Sequence, residues 1–138
     1  MVDLSTTNDA IVRAKRGVML TQNRSVAVIQ DELTLAHESL VVWTAWTRAA
    51  VKLNQSGRAA KLTQNGKTLA CKLCGIGSPA RFTAEPLEGT DYTRLTLRIS
   101  VKERARIAVV CRLLGDGESP AQSVYDVIPM SKWCEIEK

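Results

Sequence analysis

The run Ser39–Leu73, SLVVWTAWTRAAVKLNQSGRAAKLTQNGKTLACKL, reads as three consecutive strands joined by tight turns at Asn54-Gln55-Ser56-Gly57 and Asn65-Gly66. Asn-Gly between alternating apolar residues is a strong hairpin signal, because a type I′ turn requires positive φ at both central positions. In the first strand, Val41, Trp43 and Ala45 share one face, while Val42, Thr44 and Trp46 share the other. Bulk on both faces implies a strand covered on each side, or one that offers a side for contact. Arg58–Gln64 and Lys67–Leu73 show the half-buried alternation of sheet strands.

Working outward, the same punctuation recurs. Ala10–Gln22 reads as a strand bent at Gly17, and Asn23-Arg24-Ser25 turns it into a partner, Ser25–Thr34, with a register change near Gln30-Asp31-Glu32. Asp31 and Glu32 read as solvent-facing charge at that strand's end. Ala80–Ala84 is short and edge-like. Tyr92–Val101 alternates Leu95, Leu97 and Ile99 with Arg94, Thr96 and Arg98, giving one wet face. Ala105–Leu114 carries β-branched residues that favour strand over helix. Val124–Ile128 and Met130–Ile136 are expected to close the fold as final strands. Short strands with regular turns imply an all-β fold, an antiparallel β-sandwich of roughly ten strands. The 138 residues form one domain, 1–138, with a flexible N-terminal segment over 1–9.

Composition bounds the function. The chain is 45% apolar, with three Trp, two Tyr and one Phe, so the core is built mainly from Val, Leu, Ile and Ala. The formal charge of +5 suits an acidic partner. The basic residues are scattered, however, and the densest groups are Arg13-Ala14-Lys15-Arg16 and Lys102-Glu103-Arg104-Ala105-Arg106. A nucleic-acid surface would show longer basic runs or interleaved aromatics, so this pattern argues against nucleic acid. No run approaches the ~18 apolar residues of a membrane span.

Side chains that carry chemistry are sparse. The single histidine, His37, lies in a polar connection beside Glu38, and no nucleophile elbow, phosphate loop or zinc-helix motif occurs. No catalytic residue, cofactor or metal site is therefore expected. Cys71-Lys72-Leu73-Cys74 has formal C-x-x-C spacing, but it falls in a strand, where residues three apart point to opposite faces. Cysteines packed as small hydrophobes are the default, with a Cys111–Cys134 disulfide left open. Trp43 and Trp46 face opposite ways on a regular strand, so at most one is readily core, and the other is either partly covered by a neighbouring element or presented as a platform for an apolar sugar face or a partner protein.

Three segments resemble the C-terminal region of heparinase II/III-like polysaccharide lyases: Ala27–Glu32 (AVIQDE), Val42–Ala49 (VWTAWTRA) and Ala60–Leu69 (AKLTQNGKTL). The resemblance spans about residues 10–114 and implies a β-sandwich accessory to an N-terminal α/α toroid. The implied enzyme acts by β-elimination on acidic, uronate-containing polysaccharides, with its catalytic groups on the toroid, so this chain alone is expected to be inactive. Contact residues under this reading are Trp43, Trp46, Thr47 and Arg48, with Arg48, Lys52 and Arg58 as cations available to an anionic chain. Family members often carry histidine where Trp46 precedes Thr47, so the histidine's role has no counterpart here. A non-catalytic carbohydrate-binding or protein-interaction sandwich is the alternative. The family implies export, whereas free cysteines would point to a reducing compartment.

Overall fold

The computed structural model describes residues 1–3, 9–21, 24–77, 79–118 and 125–135. Ten antiparallel strands form two sheets, an all-β architecture consistent with a sandwich. The strands are β1 (Val2–Asp3), β2 (Ile11–Thr21), β3 (Val26–Leu35), β4 (Ser39–Thr47), β5 (Ala50–Leu53), β6 (Ala59–Gln64), β7 (Lys67–Cys74), β8 (Phe82–Pro86), β9 (Thr93–Val101) and β10 (Arg104–Leu114). The larger sheet has the order β1-β2-β3-β10-β7-β6-β5, and the smaller one β4-β9-β8.

One corner joins the sheets. Thr34 lies opposite Arg104 at the end of β3 and start of β10, and Ser39 lies opposite Val101 at the start of β4 and end of β9. The paired ribbon β3/β10 therefore folds over into β4/β9, and the Leu35 N–H donates to the Glu103 carbonyl at 2.7 Å across the bend. Asn65 and Gly66 have φ of 50° and 72°, so the β6–β7 hairpin turns through the left-handed region that the Asn-Gly pair favours.

The core lies between the sheets. Leu73, Leu97, Ile107 and Val109 from three strands are almost wholly buried, and Trp43 packs against Phe82 with ring centroids 6.2 Å apart and planes tilted by 56°. That tilted geometry adds about 1 kcal/mol to the area both rings bury.

A second layer covers the opposite face of the larger sheet. Residues 125–135 cross it and end in a 3₁₀ helix, Met130–Glu135, so the final strands expected at Val124–Ile128 and Met130–Ile136 do not form over the described residues. Val124 and Ile136 themselves lie outside those residues. Here Val26, Val28 and Val110 pack with Met19, Tyr125 and Trp133. Two side chains of β3, buried Gln30 and half-buried Glu32, hold the segment instead of a strand ladder: Gln30 Nε2 donates to the Ile128 carbonyl at 2.8 Å, and Glu32 Oε1 accepts the Met130 N–H at 2.8 Å. Gly17 makes room for it, since a Cβ there would sit 2.5 Å from Met130 Sδ and 2.7 Å from the Trp133 ring.

Other local expectations also change. The strand beginning at Ser39 does not run on through Val51–Leu53: it stops at Thr47 and re-emerges as β5 in the other sheet, with Thr47 Oγ1 accepting the Ala49 N–H at 3.0 Å in the crossing. The β2–β3 irregularity lies between Ile11 and Arg13, not at Gln30–Glu32, and Asp31 is a buried mid-strand residue. Of the segment 1–9, residues 4–8 lie outside the described residues, while Val2 and Asp3 pair with Arg16 and Lys15. No helix among the described residues is long and apolar enough to cross a membrane.

Candidate functional site

Strand alternation separates the two tryptophans of β4. Val41, Trp43 and Ala45 point inward, and Trp43 is only 6% exposed, which removes it from any contact surface: its indole is core, wedged beside Phe82. Leu40, Val42 and Trp46 point outward and are 61%, 46% and 52% exposed, forming an apolar stripe along β4. This strand is the edge of the smaller sheet, and over its whole length, SLVVWTAWT, it carries no charge. Natural edges are usually blunted by charges, proline or bulges, so a long uncharged edge with an exposed indole is a surface suited to contact.

The neighbouring strand supplies the polar half of this face. Across the ladder, Leu40 meets Ser100, Val42 meets Arg98, Thr44 meets Thr96, and Trp46 meets Arg94. Arg94 is braced by a charge-assisted hydrogen bond from its Nη2 to Glu85 on β8, and its Cζ lies 5.9 Å from the Trp46 ring centroid. The Arg94 hydrogen bond holds the Glu85 carboxyl below its usual range, with the positive charges of Arg94 and Arg98 acting in the same direction. Arg98 has no carboxylate partner within ion-pair distance among the described residues. Thr96, in the middle of the face, is 4% exposed, and its hydroxyl has no hydrogen-bond partner.

The other sequence-derived contact residues divide. Thr47 is spent on the β4–β5 crossing. Arg48 is exposed, with its Cζ 4.7 Å from the Tyr92 ring centroid and its Nε 3.2 Å from Asp91 Oδ2, so it packs on an aromatic face at the end of the same sheet. Arg58 is unavailable to a ligand. Its guanidinium donates to the carbonyls of Ala80 and Leu73, at 3.1 and 3.4 Å, and to that of Ile76, tying the β7–β8 connection to the β5–β6 turn. Lys52 lies exposed on β5, in the other sheet.

His37 sits exposed in the corner between β3 and β4, with Ser39 Oγ 3.2 Å from its Nδ1. The two residues are two apart in one turn, and Glu38 is engaged elsewhere, accepting from Ser100 Oγ at 2.8 Å. No cluster of three metal-ligating side chains occurs among the described residues. The cysteines are all free, and they occupy different layers. Cys71 and Cys111 lie directly opposite each other on β7 and β10 in the buried core, whereas Cys74 faces the second layer and Cys134 is exposed on the 3₁₀ helix. The larger sheet thus separates Cys111 from Cys134, and that pair is not bridged. The hydrogen bond with Cys111, together with burial, pushes the Cys71 thiol strongly up, so it is a packed thiol and not a nucleophile.

That the two tryptophans face opposite ways was legible in β4's two-faced pattern, but not which of them is exposed. Arg94 and Arg98 escaped sequence reasoning because they read only as the wet side of a regular strand. Neither a protein-family model nor a curated protein matches this chain.

Proposed function

We propose that this chain is a non-catalytic β-sandwich contact module, and that the Leu40–Val42–Trp46 stripe on the β4 edge is the surface it offers. The observation that carries this reading is the 52% exposure of Trp46 beside two exposed aliphatic side chains on an uncharged edge strand. An indole in water forfeits the large gain its burial would bring, and tryptophan is among the residues that dominate binding energy when an interface covers it. The partner implied by the sequence resemblance is the α/α toroid of a heparinase II/III-like lyase. The sandwich would then be accessory to β-elimination of acidic polysaccharides, with the base, acid and carboxylate-neutralising groups on the toroid.

A second reading has its own support. Arg94 beside the Trp46 ring and Arg98 beside Val42 make a cationic, aromatic surface that suits the apolar face and carboxylate of a uronate sugar.

Tryptophan fluorescence of the wild-type chain and of Trp46→Phe, whose difference isolates Trp46, tests both readings. Acrylamide should quench the Trp46 component freely. A uronate oligosaccharide that protects it in a saturable way supports the sugar platform, and protection only by a lyase toroid domain supports the docking surface. Trp46 protected from acrylamide in the free chain would sink both.

A further inference from the structure

The two densest basic stretches of the sequence, Arg13–Arg16 and Lys102–Arg106, are brought together on either side of β3. Thr34 lies opposite Arg13 on β2 and Arg104 on β10, and Glu32 lies opposite Lys15 and Arg106. Alternation sends all of these to the outer face of the larger sheet, the face of Gly17 and Gln30, while Ala14, Arg16 and Ile107 point the other way. The result is a cleft of about 610 Å³ whose wall is made by Gly75 and Val127. Gly75 can stand there only without a side chain: its φ is 79°, and a Cβ would lie 2.7 Å from the Arg106 carbonyl oxygen and 3.2 Å from Val127.

The charges in this cleft do not balance. Glu32 is the one carboxylate among the residues lining it, and it is already engaged, accepting the Met130 N–H at 2.8 Å and Gln30 Nε2 at 3.3 Å, with Arg106 Nε at 3.5 Å. Arg104 reaches only Glu103, at 3.5 Å, with both side chains largely exposed. Arg13 and Lys15 make no ion pair among the described residues. Adjacent strands lie about 4.8 Å apart, so side chains from β2 and β10 can converge above the intervening Thr34. Converging guanidinium forks repel one another unless an anion sits between them, and their paired N–H groups match a tetrahedral oxyanion.

We propose that this cleft binds a phosphate or sulfate group of a small ligand, seated over Thr34 between Arg13, Arg104 and Arg106. Thr34 donates its hydroxyl from the floor, and Lys15 adds charge at the rim. Glu32 stays bound to the C-terminal segment, which fixes the wall of the cleft against the sheet. The site lies on the outer face of the larger sheet, opposite the layer that carries Trp46, and stands or falls independently of the contact reading.

The test is a nuclear magnetic resonance titration of the full chain with inorganic phosphate, with sulfate, and with acetate as a planar monovalent control, all at constant ionic strength. Saturable shifts confined to Thr34, Arg13, Arg104 and Arg106 are expected with at least one tetrahedral anion and not with acetate. Preference between phosphate and sulfate identifies the source of the group. Arg13→Gln and Arg104→Gln should each weaken binding about tenfold, as loss of a charge-assisted hydrogen bond implies. Lys52→Gln, which removes one charge from a remote strand, should leave it unchanged. Shifts that never saturate, that spread over all arginines, or that weaken equally in Lys52→Gln would overturn the site.

Discussion

Asp31 receives both arms of the Arg16 guanidinium: Nε donates to Oδ1 at 2.7 Å and Nη2 to Oδ2 at 2.8 Å, from the directly opposite position on the neighbouring strand. The carboxylate side chain is 11% exposed and the guanidinium 39%, so this is a half-buried bidentate pair on the inner face of the larger sheet, beside Ile107. The hydrogen bond that Arg16 donates to Asp31 raises the Arg16 pKa further above its usual value, so the cation persists throughout the accessible pH range. Removing only the cation leaves a shielded carboxylate without its partner. Arg16→Met should therefore destabilise the fold by about 2 kcal/mol, less than for a fully buried pair because water reaches Arg16. Arg16→Met combined with Asp31→Leu should recover most of that loss. Chemical denaturation of the three variants checks it, and a double variant as weak as the single one would contradict the account.

The two tryptophans of β4 should behave oppositely. Trp43→Ala removes a core indole packed on Phe82 and should cost about 3–5 kcal/mol. Trp46→Ala removes an exposed ring and should change stability by no more than about 0.5 kcal/mol. Thermal melts of both variants, read beside the binding titrations, separate folding from contact.

Gly17 is a steric requirement and not a conformational one. Gly17→Ala would press a methyl group into Met130 and Trp133. The 3₁₀ helix must shift outward, at a cost of about 1–3 kcal/mol. Acrylamide quenching should show Trp133 newly accessible while Trp43 stays protected. Unchanged Trp133 accessibility together with an unchanged melting temperature would refute this packing.

The Glu85–Arg94 brace sets a pH dependence for the Trp46 face. Glu85 has its folded pKa lowered below the reference value of 4.5, chiefly by the Arg94 hydrogen bond. Its contribution is therefore fully present above that value and is lost as pH falls through the lower folded one. Below that point Arg94 is released from Glu85, and the Trp46 emission should change. Glu85→Gln should abolish the transition without affecting emission near neutral pH by more than the lost brace itself does.

Much of the fold was legible because its signals are local. Asn65-Gly66 specifies a turn by backbone sterics alone, and the alternation of Leu95, Leu97 and Ile99 marks a strand with one wet side whatever it pairs with. The hairpins β2–β3 and β6–β7 follow from such signals, as does the strand character of β10. By contrast, Thr47-Arg48-Ala49 contains no glycine or proline to mark the passage between sheets, and a tertiary choice puts β5 in the larger sheet.

The sequence by itself determined the class of architecture, the antiparallel hairpins and the fact that β4 carries bulk on both faces, since each depends on residues close together in the chain. Only the tertiary structure decided that Trp43 is core and Trp46 surface, because alternation defines two faces without saying which the second sheet will cover. It also turned Asp31 from an apparent terminal charge into the buried partner of Arg16. Likewise, it brought two distant basic stretches together around Thr34, because strand order across a sheet is set by packing and loop closure, not by any pattern within one strand.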